Sequence, residues 1–300
     1  MREMARTLLC MSNIKAFMLA LALLICVAHA ASGADKTKVS GIAEVNGTKL
    51  YYESEGKGRT LVLIHGGLVD SRMWDDQFNE FAKHYRVIRY DLRGFGRSEF
   101  SMGPLSHIED LYALLKFLKV EKASLVGLSL GGQVATEFTL EHPEMVEKLI
   151  LSGSALRGYK YPRDPERLAI DKAAEEEGKD KAIAMWLDYR LFATGKKNPN
   201  FQRRMKEMLS DNFRTWGPTP APIVWTWPKT PAIERLGEIK KPTLVIVGDM
   251  DIPSIIAISD VLKEKIGGAR KLVITGVSHH LNMEKPKEFN RAVLDFMKEK

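Results

Sequence analysis

A serine held between glycines, an aspartate-bearing turn and a late histidine are the residues of this 300-residue chain whose types and spacing could perform covalent chemistry. The segment Gly127-Leu128-Ser129-Leu130-Gly131-Gly132 has the form G-x-S-x-G, a pattern that presents a hydroxyl on a tight strand-to-helix turn whose backbone only small neighbours allow to close. A serine hydroxyl is a poor nucleophile near neutral pH; it needs a base to take its proton and a carboxylate to orient that base. Both follow later in the chain. Gly248-Asp249-Met250-Asp251 offers two carboxylates, and Gly276-Val277-Ser278-His279-His280 offers two imidazoles.

These segments gain meaning from what must position them. Short, nearly continuous apolar runs at 61–64, 86–90, 124–126, 148–151, 243–247 and 271–274 suit strands buried on both faces. Helical patterns at 71–81, 106–118, 130–141, 255–266 and 287–297 fall between them. That alternation predicts βαβ units, a mainly parallel sheet, and a ligand site in the loops at the carboxyl ends of the strands. At the start, residues 39–45 and 49–53 flank Asn46-Gly47, a dipeptide suited to a type I′ hairpin. The alternation breaks between about 155 and 234. A structureless loop of that length is not expected inside a compact domain, so the interval predicts a helical cap over the strand ends. Trp186, Trp216, Trp225 and Trp227 lie in it. Trp186, Trp225 and Trp227 are the candidate walls of a substrate pocket, packing of the cap's own core being the other use for such rings.

From residue 39 to the C-terminus the chain resembles the α/β-hydrolase superfamily. Five segments carry the likeness: His65-Gly66-Gly67 resembles the family's oxyanion loop, Asp91 to Ser98 (DLRGFGRS) the loop after the next strand, and 127–131 the nucleophile elbow. Gly248 to Asp251 resembles the acid turn, and 276–279 with Glu284-Lys285-Pro286 the histidine loop and final helix. The resemblance implies an α/β fold with a mostly parallel eight-stranded sheet, helices on both faces and a cap inserted before the last two strands. It implies Ser129 as nucleophile, His279 as base and Asp251, at the fourth position of its turn, as orienting acid. It further implies the backbone N–H groups of Gly67 and Leu130 as oxyanion donors, with His65 stabilising its turn. Some relatives place the acid after the strand that precedes the cap; this chain has Gly153 and Ser154 there, and no carboxylate.

Composition narrows the remaining classes. With 45% hydrophobic and 28% charged residues the chain reads as an ordinary globular protein. Arg2, Arg6 and Lys15 precede an uncharged apolar stretch at 16–28 that ends in Ala28-His29-Ala30, the layout of a secretory signal peptide over residues 1–30. The stretch is short for a bilayer span, so export to the periplasm or medium without stable membrane insertion is expected, leaving a domain at 31–300. Cys10 and Cys26 both fall in the removable segment. Of the formal charge of +7, residues 1–30 account for +2, and the rest is scattered among acids. A mixed solvated surface is therefore expected rather than a nucleic-acid footprint. No metal-ligand spacing stands out, and Gly94-Phe95-Gly96 lacks the third glycine of a dinucleotide loop.

The expected function is a cofactor-free, metal-free serine hydrolase that cleaves a small carboxylic ester or lactone through an acyl-enzyme. The stretch 230–236 leading into 242–247 is similar to β-ketoadipate enol-lactone hydrolases and related small-substrate esterases. Carbon–carbon bond hydrolases and perhydrolases share the same triad, and a non-catalytic small-ligand receptor could keep the fold. A carboxylate-nucleophile chemistry such as dehalogenation is disfavoured by the serine at the elbow.

Overall fold

The computed structural model describes residues 38–100, 103–218 and 223–299; the expected signal peptide lies outside them. In chain order the strands are β1 (Val39–Val45), β2 (Thr48–Glu55), β3 (Thr60–Ile64), β4 (Arg86–Tyr90), β5 (Gly103–Leu105), β6 (Ala123–Leu128), β7 (Val146–Ser152), β8 (Ile223–Trp225), β9 (Thr243–Gly248) and β10 (Arg270–Ile274). Eight of them form one sheet in the order β1-β2-β4-β3-β6-β7-β9-β10. The β1–β2 and β2–β4 pairs are antiparallel and the others parallel. Asn46 (φ 47°) and Gly47 (φ 67°) both take left-handed backbone, as a type I′ turn requires.

Every residue of β3, β6 and β9 is buried, and alternation along each strand divides them between two cores. Val62, Ile64, Leu125, Val245 and Val247 face one layer, where Leu111, Leu114, Val134, Phe138 and Ile258 supply the helix side. Leu61, Leu63, Val126, Leu244 and Ile246 face the other, against Phe78, Phe81, Phe289 and Val293. Each large apolar side chain taken fully from water stabilises by about 1.5–3 kcal/mol, so the sheet is fixed from both faces and its carboxyl ends become a rigid rim. The expected helix at 71–81 is a 3₁₀ turn at Ser71–Trp74 continued by an α-helix at Asp75–Phe81. Asp70 caps that turn by accepting from Arg72 N at 3.1 Å.

Between β7 and β9 the chain forms the cap. Its main helices are Pro165–Glu176, Lys179–Asp188 and Pro199–Asp211. Asp164 and Asn198 cap the first and third, each with Pro at the following position, the arrangement that satisfies first-turn N–H groups at low cost. Both roots of the cap are tied to the helix that follows β6. Glu137 Oε1 accepts from Arg157 Nε at 2.5 Å and from Ala232 N at 3.3 Å, and Ile233 N donates to Arg157 O at 3.2 Å. The short parallel pair β5–β8, which sequence patterning did not indicate, joins the loop after β4 to the returning arm of the cap. Among the described residues no helix is long and apolar enough to cross a membrane.

Candidate active site

Ser129 stands at the end of β6, before the helix Leu130–Glu141, with φ 55° and ψ −115°. Such a backbone is strained for a non-glycine residue and persists only where neighbours over-determine it. Here they do. Ser129 N donates to Ser152 O at 3.0 Å, and Ser129 O accepts from Gln133 N at 3.0 Å and Ala155 N at 3.1 Å. A Cβ on Gly127 would lie 2.2 Å from the Gly131 carbonyl oxygen, and one on Gly131 would lie 2.1 Å from Ile64 O. The two glycines of the pattern are thus required by close backbone packing on both sides of the serine.

His279 and Asp251 form a buried pair. His279 Nδ1 donates to Asp251 Oδ2 at 2.9 Å, with the Asp251 side chain fully inaccessible. Asp251 Oδ1 accepts from Ile252 N at 2.7 Å. Asp249 has a different place: its Oδ1 accepts from Gly276 N at 2.6 Å at the surface, bracing the start of the histidine loop. The α-carbon of Gly153 backs the pair; a Cβ there would come within 3.2 Å of His279 Nδ1 and 3.3 Å of Asp251 Oδ2. Burial by itself would lower the affinity of His279 for a proton, but the charge and hydrogen bond of Asp251, with the charge of Glu284, outweigh it and leave the pKa above 6.5. Glu284, which the sequence offered only as part of the segment resembling the final helix and without a role of its own, holds the loop. Its Oε1 accepts from Ser278 Oγ at 2.8 Å and His280 N at 3.2 Å, and its Oε2 from Ser278 N at 2.7 Å and from Thr194 Oγ1 of the cap.

Ser129 and His279 line one cavity of about 510 Å³ under the cap, together with Gly67, Leu130, Trp186 and Trp225. Gly66 N donates weakly to Met73 Sδ at 3.4 Å, whereas among the described residues neither Gly67 N nor Leu130 N has a hydrogen-bond acceptor. Leu130 opens a helix, where free N–H groups and the helix dipole favour an anion. Leu68 beside Gly67 has φ 72° and also lines the cavity, a second strained residue that composition could not reveal. His65 is wholly buried and neutral: Nδ1 donates to Gly66 O at 2.7 Å while Nε2 accepts from Leu92 N at 2.9 Å. It ties the loop at 65–67 to the one that begins at Asp91.

The tryptophans divide. Trp186 is 1% exposed and packs edge-on against Tyr189 and Trp216, so it serves the cap core and the cavity wall together. Trp225 fronts the cavity. Trp227 does not: its ring packs over the core beside His107 and Trp225, and the expectation that it lines the pocket is corrected. Trp216 is on the wall in its stead, brought there by the helix pair of the cap. Among the described residues no group of three or more metal-ligating side chains converges.

Three buried histidines give the fold a pH dependence. Burial lowers the pKa of His65, of His280 and of His107, the last to about 3. The folded chain keeps them neutral, while the unfolded chain protonates them below about pH 6.5. Stability is therefore fully present above pH 6.5 and is lost as pH falls from there toward the folded values, by up to about 1.4 kcal/mol per pH unit for each histidine. Guanidinium unfolding at pH 7.5, 6.5 and 5.5 is expected to show that decline, and His107→Phe should flatten it. A stability unchanged between pH 7 and 5 would contradict the assignment.

Comparison with known proteins agrees with this fold. Residues 59–286 match the family described as alpha/beta hydrolase fold. The chain is 32% identical over 161 residues to a pimeloyl-(acyl-carrier protein) methyl ester esterase of Aliivibrio fischeri, covering 53% of this chain and 61% of that protein. The matches to the corresponding Pectobacterium esterases cover 41% of their length. A 2-hydroxy-6-oxo-6-phenylhexa-2,4-dienoate hydrolase of Comamonas testosteroni is 28% identical over 275 residues, covering 84% of this chain and 92% of the other. Among solved structures, the enol-lactonase of Burkholderia xenovorans superposes with a TM-score of 0.71 at 27% identity, over 86% of this chain and 100% of its own.

Proposed function

This chain belongs to the α/β-hydrolase family, and from that premise we propose that it is a serine hydrolase cleaving a small carboxylic ester or lactone through an acyl-enzyme. The observation that carries the reading is His279, paired with the buried Asp251 at 2.9 Å, on the same cavity as the strained Ser129. Ser129 Oγ attacks the carbonyl carbon while His279 Nε2 takes the hydroxyl proton. The resulting oxyanion is placed against Gly67 N and Leu130 N, whose preorganisation lowers the barrier because no dipole has to turn as charge develops. Collapse expels the alcohol, or opens the lactone ring, with the proton returned from His279 to the leaving oxygen. Water, deprotonated by the same imidazole, then attacks the acyl carbonyl, and the acid departs as Ser129 regains its proton. Asp251 keeps the Nδ1–H tautomer and stabilises the imidazolium formed in each half-reaction.

The esterase and enol-lactonase named among the relatives support an oxygen leaving group. A second reading, carbon–carbon bond hydrolysis by the same triad, is supported by the dienoate hydrolase, which matches over the greatest share of both chains among those curated relatives. A panel of p-nitrophenyl esters, γ- and δ-lactones and a vinylogous 1,5-diketo acid tests the choice. Turnover of esters or lactones is expected to exceed that of the diketo acid by at least about tenfold in kcat/KM, a difference of roughly 1.4 kcal/mol in transition-state binding. The reverse order would favour carbon–carbon cleavage.

A further inference from the structure

The cavity beneath the cap is apolar apart from a few groups, and its charge is one-sided. Among the described residues no aspartate or glutamate lines it, because Asp251 is wholly hidden behind His279. His280, buried between Phe192 and Phe201, is held neutral. Among the described residues the one arginine or lysine on the wall is Arg167, from the first cap helix.

Arg167 is also oriented. Its guanidinium carbon lies 4.5 Å over the Trp186 ring, and Nε donates to Asp171 Oδ1 at 2.9 Å one helical turn on. Among the described residues its two Nη groups have no hydrogen-bond acceptor. The stack and the Nε bond use one face and one edge of the planar fork, which leaves an edge able to take a carboxylate through two parallel bonds. The same side chain lines an adjoining cavity of about 450 Å³, which shares Tyr161, Trp186 and Leu191 with the first. Tyr161 Oη accepts from Leu156 N at 3.1 Å, so its hydroxyl proton is available to a ligand on the same wall.

Resting on the hydrolase reading above, we propose that the physiological substrate is an acidic ester or lactone: besides the carbonyl cleaved at Ser129 it carries a free carboxylate, which Arg167 receives. In a cavity walled largely by Phe95, Trp186, Trp216 and Trp225, the free edge of that fork offers an acid two parallel charge-assisted hydrogen bonds that a neutral isostere cannot match, and this favours the acid.

The test uses two isosteric pairs, one with the charge in the acyl half (mono-4-nitrophenyl adipate and 4-nitrophenyl adipamate) and one with it in the alcohol half (4-carboxyphenyl acetate and 4-carbamoylphenyl acetate). For at least one pair the full-length enzyme is expected to prefer the acid by about tenfold or more in kcat/KM, mostly through KM. Arg167→Gln should bring that ratio close to one, and Arg167→Lys, which keeps the charge and most of the packing on Trp186, should retain part of it. Equal rates for acid and neutral ester in both pairs, or a preference untouched in Arg167→Gln, would overturn the proposal while leaving the hydrolase reading intact. If no ester of either pair is turned over, the hydrolase reading fails and the proposal with it.

Discussion

Ser129→Ala is expected to lower kcat for ester hydrolysis by about 10⁴- to 10⁶-fold while the protein stays folded. The upper figure is what removal of a serine nucleophile costs where base, acid and oxyanion donors act as a unit, and the residue left is catalysis by binding and the oxyanion donors alone. The substitution removes one oxygen from a turn fixed through backbone bonds to Ser152, Gln133 and Ala155, so thermal unfolding should shift little. Steady-state turnover of p-nitrophenyl acetate beside a melting curve checks both halves of the expectation. A variant that retained turnover within tenfold of the parent would remove Ser129 from the chemistry.

Asp251→Asn carries the second large effect. An asparagine keeps the volume but presents either an amide donor or a neutral acceptor to His279 Nδ1, so the tautomer that leaves Nε2 free to accept the Ser129 proton is no longer enforced. A loss of about 10⁴-fold in kcat is expected, as for the same change in other triads. The pH profile adds an independent mark. In the parent, His279 binds a proton more tightly than a free imidazole because the Asp251 charge and hydrogen bond, with Glu284, outweigh its burial. A base must be deprotonated to act, so kcat/KM should fall as pH drops through a value above about 6.5. In Asp251→Asn burial acts with less opposition, and that acid limb should move to lower pH. Asp249→Asn, by contrast, loosens only the surface bond to Gly276 N and should leave the position of the limb where it is. A limb that shifts in Asp249→Asn and not in Asp251→Asn would exchange the two roles.

Much of this arrangement was legible in the sequence, and for a definite reason. The glycines at 127 and 131 report on steric demands that any closely packed elbow makes, and the doubly buried strands leave unbroken apolar runs. Asn46-Gly47 announced its turn because few other dipeptides take two left-handed residues in succession. The same local logic could not find Glu284 as the clamp of the histidine loop, because one of its four hydrogen bonds comes from Thr194, ninety residues earlier in the chain. Nor could it divide Trp227 from Trp216: both are large aromatics in the cap, and only the tertiary path decides which ring meets the cavity. Arg167 was one of many arginines until the cap helix laid it over Trp186. Pairings between distant segments, β5 with β8 among them, leave too little periodicity in three residues to be seen.

The central claim, that Ser129 is an activated nucleophile, is tested most directly by reaction with a fluorophosphonate followed by peptide mass spectrometry. The account predicts a single phosphonyl adduct on Ser129, formed rapidly in the parent and slowed in His279→Ala and Asp251→Asn, with no adduct in Ser129→Ala. Folded protein that stays unmodified, or an adduct on any other residue, would contradict it.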